Sequence, residues 1–210
     1  MKRWFLKFCR GSVKSLGWVL FGCHAVGVEN VPKTGAVIVA ANHQSYLDPP
    51  LVGMAIRREA YFFAKKELFD IFGLRWIVAL LNIIPVRRGI YDPEAINRTV
   101  SILSKGQALV MFPEGTRDNG REFLKPKAGI GLIARRSKVA IVPAYLYRTN
   151  RFWSALLTRK RMKILFGTVM PSEQLGQYGD DKNGYQALTE EVMGRIARLR
   201  EMVLTEAEAV

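Results

Sequence analysis

Apolar positions along this chain alternate between unbroken runs and a helical period. Residues 36–41, 61–64, 83–86, 108–112, 140–147 and 162–166 are short, mostly apolar runs of strand length, rich in Val, Ile, Phe and Tyr. Between them, residues 51–56, 74–81, 96–103 and 130–136 read as helices, the third closed by Gly106. Leu188, Val192, Ile196, Leu199 and Val203 then recur at helical spacing and predict a long C-terminal helix. Strands alternating with helices predict an α/β fold, one domain with a mixed sheet flanked by helices, over residues 27–210. No internal repeat or low-complexity tract interrupts it.

Residues 1–26 have a different pattern. Arg3, Lys7, Arg10 and Lys14 form one helical stripe, and Phe5, Cys9, Val13, Leu16 and Leu20 form another about 130° away at ~100° per residue. Trp4, Phe8 and Trp18 broaden the apolar side with rings suited to a headgroup boundary. The stretch lacks a run of ~20 apolar residues, so it predicts an amphipathic helix lying on a membrane rather than spanning one. Packing of the same apolar face on the domain is the other reading. A second basic and apolar patch, from Arg148 to Lys163 with Phe152 and Trp153 inside it, is either a solvated loop or a second membrane contact.

Charge sharpens the picture. The 210 residues carry 32 Lys+Arg against 18 Asp+Glu, a net charge of +14, which points to polyanions: nucleic acid, an anionic membrane or phosphorylated substrates. The two cysteines, Cys9 and Cys23, form no metal-ligand or redox pattern, and a reducing compartment is expected. Basic residues interrupt the N-terminal apolar stretch and no cleavage site follows, so no cleavable signal peptide is evident.

The chemistry sits where strands end. Residues 36–41 run directly into Asn42-His43-Gln44-Ser45-Tyr46-Leu47-Asp48, the turn leaving a strand's C-terminal end, where open α/β sheets bind ligands. With a turn between them, Asp48 can fold back to accept the Nδ1–H of His43 and leave Nε2 to take a proton from a hydroxyl. Alternatively, Asp48 before Pro49 is an N-cap. Three other strands end in charge: Lys65-Lys66-Glu67, Arg87-Arg88-Gly89 and Pro113-Glu114-Gly115-Thr116-Arg117. If they converge on His43, they make a pocket with one base and several cations, and arginine suits phosphate.

Asn42-His43-(four residues)-Asp48, Ile84-Pro85-Val86-Arg87-Arg88, Phe112-Pro113-Glu114-Gly115-Thr116-Arg117 and Ile141-Val142-Pro143 stand in the order and spacing of four motif blocks. Together they resemble the glycerolipid acyltransferases, most closely the 1-acylglycerol-3-phosphate (lysophosphatidate) acyltransferases, from about Gly27 to Leu146. The resemblance implies that His43 is the general base and Asp48 its orienting partner, with the substrate's 2-hydroxyl as nucleophile. It implies an acyl-CoA or acyl-carrier-protein co-substrate, with no other cofactor and no metal. Arg88, Glu114, Gly115, Thr116 and Arg117 match acceptor-binding blocks, with Lys65 and Lys127 as further phosphate candidates. It also implies phospholipid biosynthesis at the cytoplasmic face of a membrane. Asn82 and Asp118 depart from the residues common in the blocks, glycine and serine.

Two other readings are weaker. Gly129-Ile130-Gly131-Leu132-Ile133-Ala134 fits a dinucleotide fingerprint, but Arg121 to Lys127 is too polar for the strand that must precede it. Its small residues are expected instead to let a helix approach the sheet. A non-enzymatic nucleic-acid binder fits the charge, but the chain has no zinc-ligand spacing, basic zipper or aromatic RNA-binding signature.

Overall fold

The computed structural model describes residues 23–65, 82–86, 92–120, 122–151 and 162–208. The expected helices over 1–21 and 74–81, the side chains of Lys65 and Arg88, and most of the 148–163 patch lie outside the described residues.

Seven strands among the described residues form one sheet in the order β1-β7-β6-β2-β5-β3-β4. They are β1 (His24–Val26), β2 (Val37–Ala41), β3 (Ala60–Lys65), β4 (Asn82–Val86), β5 (Ala108–Met111), β6 (Ile141–Tyr147) and β7 (Lys163–Phe166). The block β6-β2-β5-β3-β4 is parallel, β7 runs antiparallel to β6, and β1 runs parallel to β7. The sheet is therefore mixed. Residues 24–26, grouped above with the N-terminal helical segment, form its edge strand, pairing His24 with Lys163 and Val26 with Leu165.

The middle strands read as continuous apolar runs because both of their faces are covered. Ile38, Ala40, Leu109, Met111 and Tyr145 point into one core with α2 (Pro93–Ser104), α3 (Gly129–Ser137) and α4 (Lys182–Glu208). Val37, Val39, Ala41, Val110 and Ala144 point into the other core, under α1 (Asp48–Ala55). The period of two along each strand sorts these side chains between the layers.

The helix starts follow local chemistry. Asp92 Oδ1 accepts the Ala95 N–H at 3.1 Å, with Pro93 opening α2. Asp181 Oδ1 accepts the Gly184 N–H at 2.7 Å and starts α4 ahead of its first periodic apolar residue.

Gly131 corrects one expectation. It faces α4, not the sheet, and a Cβ there would collide with the backbone carbonyl of Tyr185. Its N–H donates to Thr189 Oγ1 at 3.1 Å, and that hydroxyl donates to Tyr185 O at 2.8 Å. Gly131→Ala is expected to lower stability by roughly 1–3 kcal/mol as the helices are forced apart, read as a lower urea midpoint. An unchanged midpoint would refute the close crossing.

Candidate active site

The turn after β2 is held from three sides. Asn42 is fully buried and pairs with the backbone of β6, donating from Nδ2 to Leu146 O at 3.2 Å and accepting the Leu146 N–H on Oδ1 at 2.7 Å. The His43 N–H donates to Glu114 Oε1 at 3.0 Å, and the His43 carbonyl accepts the Asp118 N–H at 2.7 Å. The His43 ring stacks on Phe112, with centroids 4.2 Å apart.

Asp48 is fully buried, and it resolves the two readings of the turn. Its Oδ2 accepts the His43 Nδ1–H at 2.8 Å, the Gln44 N–H at 2.6 Å and the Ser45 N–H at 2.7 Å. The carboxylate turns back onto the loop instead of capping α1, which begins at Asp48 itself with Pro49 and Pro50 in its first turn. A carboxylate on Nδ1 fixes the tautomer in which Nε2 carries the free lone pair.

Glu114 differs from the substrate contact expected of it. It is 1% exposed, and Oε2 accepts the Leu124 N–H at 2.8 Å while Oε1 holds His43. Both oxygens accept backbone N–H groups, so Glu114 ties the loop after β5 to the turn after β2. Burial pushes its carboxyl pKa from 4.5 up to about 7, against the two N–H bonds that lower it; the neighbouring Asp118 adds to the rise. Burial likewise raises the pKa of Asp118, whose Oδ1 accepts the Gly120 N–H.

In the folded chain Glu114 keeps its proton where the unfolded chain has lost it. Its contribution to stability is therefore full below about pH 4.5 and lost as pH rises through about 7. Glu114→Gln is expected to remove that decline from the difference between urea midpoints at pH 5 and pH 8. An identical decline in variant and wild type would refute it.

His43 lines a cleft of about 640 Å³. Its walls are apolar, with Phe63, Val86, Met111, Ile130 and Ile133 among them, and Lys127, Arg136 and Lys182 bring positive charge to it. Gly115 adopts φ +69°, and a Cβ there would press on the Lys127 side chain, 3.2 Å from its Cδ and 3.3 Å from its Nζ. The Lys127 N–H donates to Pro113 O at 2.9 Å, which brings this lysine beside the loop after β5. Of the expected site residues, His43, Gly115 and Lys127 line the cleft. Thr116 and Arg117 are exposed beside it, and the Arg117 guanidinium lies 3.5 Å from the centre of the Tyr46 ring.

Sequence reasoning missed Arg136 and Lys182, which reach the cleft only through the packing of α3 and α4. It also missed the clamping role of Asn42, whose one signal was its place at a strand exit.

The sequence profile of the acyltransferase family matches residues 23–147, more than half of the chain. The chain belongs to the acyltransferase family. This acyltransferase is 29% identical over 205 residues to the 1-acyl-sn-glycerol-3-phosphate acyltransferase of Streptococcus pneumoniae, covering 95% of this chain and 74% of that one. It is 28% identical to the enzyme of the same name from Bacillus subtilis, covering 92% of this chain and 96% of that one. Its fold matches the crystal structure of the 1-acyl-sn-glycerophosphate (LPA) acyltransferase from Thermotoga maritima with a TM-score of 0.70 at 24% identity, over 94% of this chain and 80% of that one. The acyltransferase is an enzyme.

Proposed function

We propose that this acyltransferase moves a fatty acyl group from an acyl thioester of coenzyme A or acyl-carrier protein to the 2-hydroxyl of 1-acyl-glycerol-3-phosphate, giving phosphatidate. The observation that carries the reading is a buried His43–Asp48 pair, bonded through Nδ1, with His43 lining an apolar cleft that has cations at hand.

In this reaction Nε2 of His43 takes the hydroxyl proton as the oxygen attacks the thioester carbon. A C–O bond forms and the C–S bond breaks. The imidazolium, steadied by Asp48, returns the proton to the departing thiolate. The substrate supplies the nucleophile, so no acyl-enzyme forms. The apolar walls suit fatty chains, and Lys127 and Arg117 are cations for the acceptor's phosphate. Arg88 joins them on the strength of its motif position, and Lys65 as a cation at the end of β3.

Attachment to a membrane surface belongs to the same proposal. No helix among the described residues is long and apolar enough to cross a bilayer. The basic and apolar stripes before residue 23 would hold the enzyme at an anionic cytoplasmic leaflet, where its lipid substrates lie.

Mass spectrometry of lipids made from acyl-CoA and lysophosphatidate in mixed micelles tests the reaction. Phosphatidate is the expected product. Faster turnover with glycerol-3-phosphate or a lysophospholipid lacking the terminal phosphate would replace the acceptor. Co-sedimentation with anionic vesicles that weakens as salt rises supports attachment, and equal binding to neutral vesicles would contradict its electrostatic part.

A further inference from the structure

The catalytic turn also borders a second pocket, of about 350 Å³ and opposite character. His43 lines the apolar cleft, and its neighbour Gln44 lines this one. Arg148 and Arg151, at the end of β6, and Arg200, on α4, line the pocket. No carboxylate is among the described residues lining it.

Three features suggest a site built for a ligand. Gln44 is 8% exposed; its side chain hydrogen-bonds Tyr145, while its Oε1 is buried without a hydrogen-bond partner in the protein. A buried acceptor of this kind calls for a donor. Arg148, which also lines this pocket, has an Nε that is likewise buried and unpartnered. Finally, Arg148 holds a left-handed backbone at φ +61°, strained for a residue with a Cβ, and its carbonyl accepts the Arg151 N–H at 3.0 Å. That turn brings Arg148 and Arg151 to the same pocket. Arg200 is set over the Phe123 ring at 5.3 Å.

We propose that this pocket receives the phosphopantetheine arm of the acyl thioester, the part that coenzyme A and acyl-carrier protein share. The inference rests on the acyl-thioester reading above. A thioester has a hydrocarbon chain on one side of its carbonyl and an arm of amides ending in phosphate on the other. The two cavities flanking residues 43 and 44 show the same contrast. An amide N–H of the arm meets Gln44 Oε1 near the reacting carbon, and the phosphate farther out meets the arginines. The phosphate of lysophosphatidate is only a few bonds from its reacting hydroxyl and suits Lys127, in the cleft that His43 lines.

Titration calorimetry with 4′-phosphopantetheine, and with pantetheine lacking the phosphate, tests the site without needing turnover. Wild type is expected to bind the phosphorylated compound more tightly, and Arg148→Ala to weaken it about tenfold or more. Arg200→Ala, on a helix surface, is expected to act in the same direction and guards against a folding defect at the strained turn. In steady state both variants should raise KM for acyl-CoA while KM for lysophosphatidate stays within about twofold. Equal affinity of phosphopantetheine for wild type and both variants would overturn the assignment, as would a rise confined to KM for lysophosphatidate. Arginine-dependent binding in a wild type that fails to acylate lysophosphatidate would uphold the pocket and refute the acceptor instead.

Discussion

His43→Ala is expected to lower kcat by about 10²–10⁴-fold, the range that a positioned general base supplies. The loss should fall on kcat, because the cleft walls that would hold the acyl chain come from other elements and survive the change. The fold should survive too. Without the ring, Asp48 still accepts the N–H groups of Gln44 and Ser45, and the His43 backbone bonds to Glu114 and Asp118 do not depend on the side chain. Steady-state rates with a chromogenic thiol reagent, beside a urea midpoint, separate the two effects. A variant within a few-fold of wild type would end the general-base assignment.

Asp48→Asn isolates charge from hydrogen bonding. All three donors around Asp48 converge on Oδ2, so an asparagine with its oxygen there keeps every bond. What disappears is the negative charge that stabilises the imidazolium formed during attack. An adjacent opposite charge is worth about one to three pKa units to an ionised group, so kcat is expected to fall about 10–10³-fold. The asparagine Nδ2 takes the place of Oδ1, which is buried without a partner. A further loss of about 1–3 kcal/mol in stability is therefore expected. Asp48→Ala leaves the Gln44 and Ser45 N–H groups unpaired and should lose more stability than the asparagine. Equal stability of the two variants would show that the turn does not depend on these bonds.

The central strands were legible because burial on both faces makes them unbroken apolar runs. β2, β5 and β6 stand within a residue or so of the stretches expected. β1 was not legible: three residues on a sheet edge carry no period, and only the pairing of His24, Ala25 and Val26 with β7 makes them a strand. The His43–Asp48 relation was legible as chemistry, since a histidine and a carboxylate share one strand-exit turn. Which of two roles Asp48 plays was not, because both place it before Pro49. Glu114 was misread for a physical reason. A carboxylate in a polar loop looks available to substrate, and only the fold reveals that it is buried with each oxygen accepting a backbone N–H. Arg136 and Lys182 lie far from the turn in sequence and join the cleft through α3 and α4. The motif therefore marks the His43–Asp48 pair better than it marks the walls of the cleft.

Acceptor-dependent thiol release tests the central claim most directly. Purified enzyme would be given acyl-CoA in detergent micelles, with and without lysophosphatidate, and free thiol followed alongside phosphatidate. Release that requires lysophosphatidate, with thiol and phosphatidate appearing in equal amounts, is the predicted result. Release at the same rate without any acceptor would make the site a thioesterase, with water in place of the lipid hydroxyl, and would contradict this account.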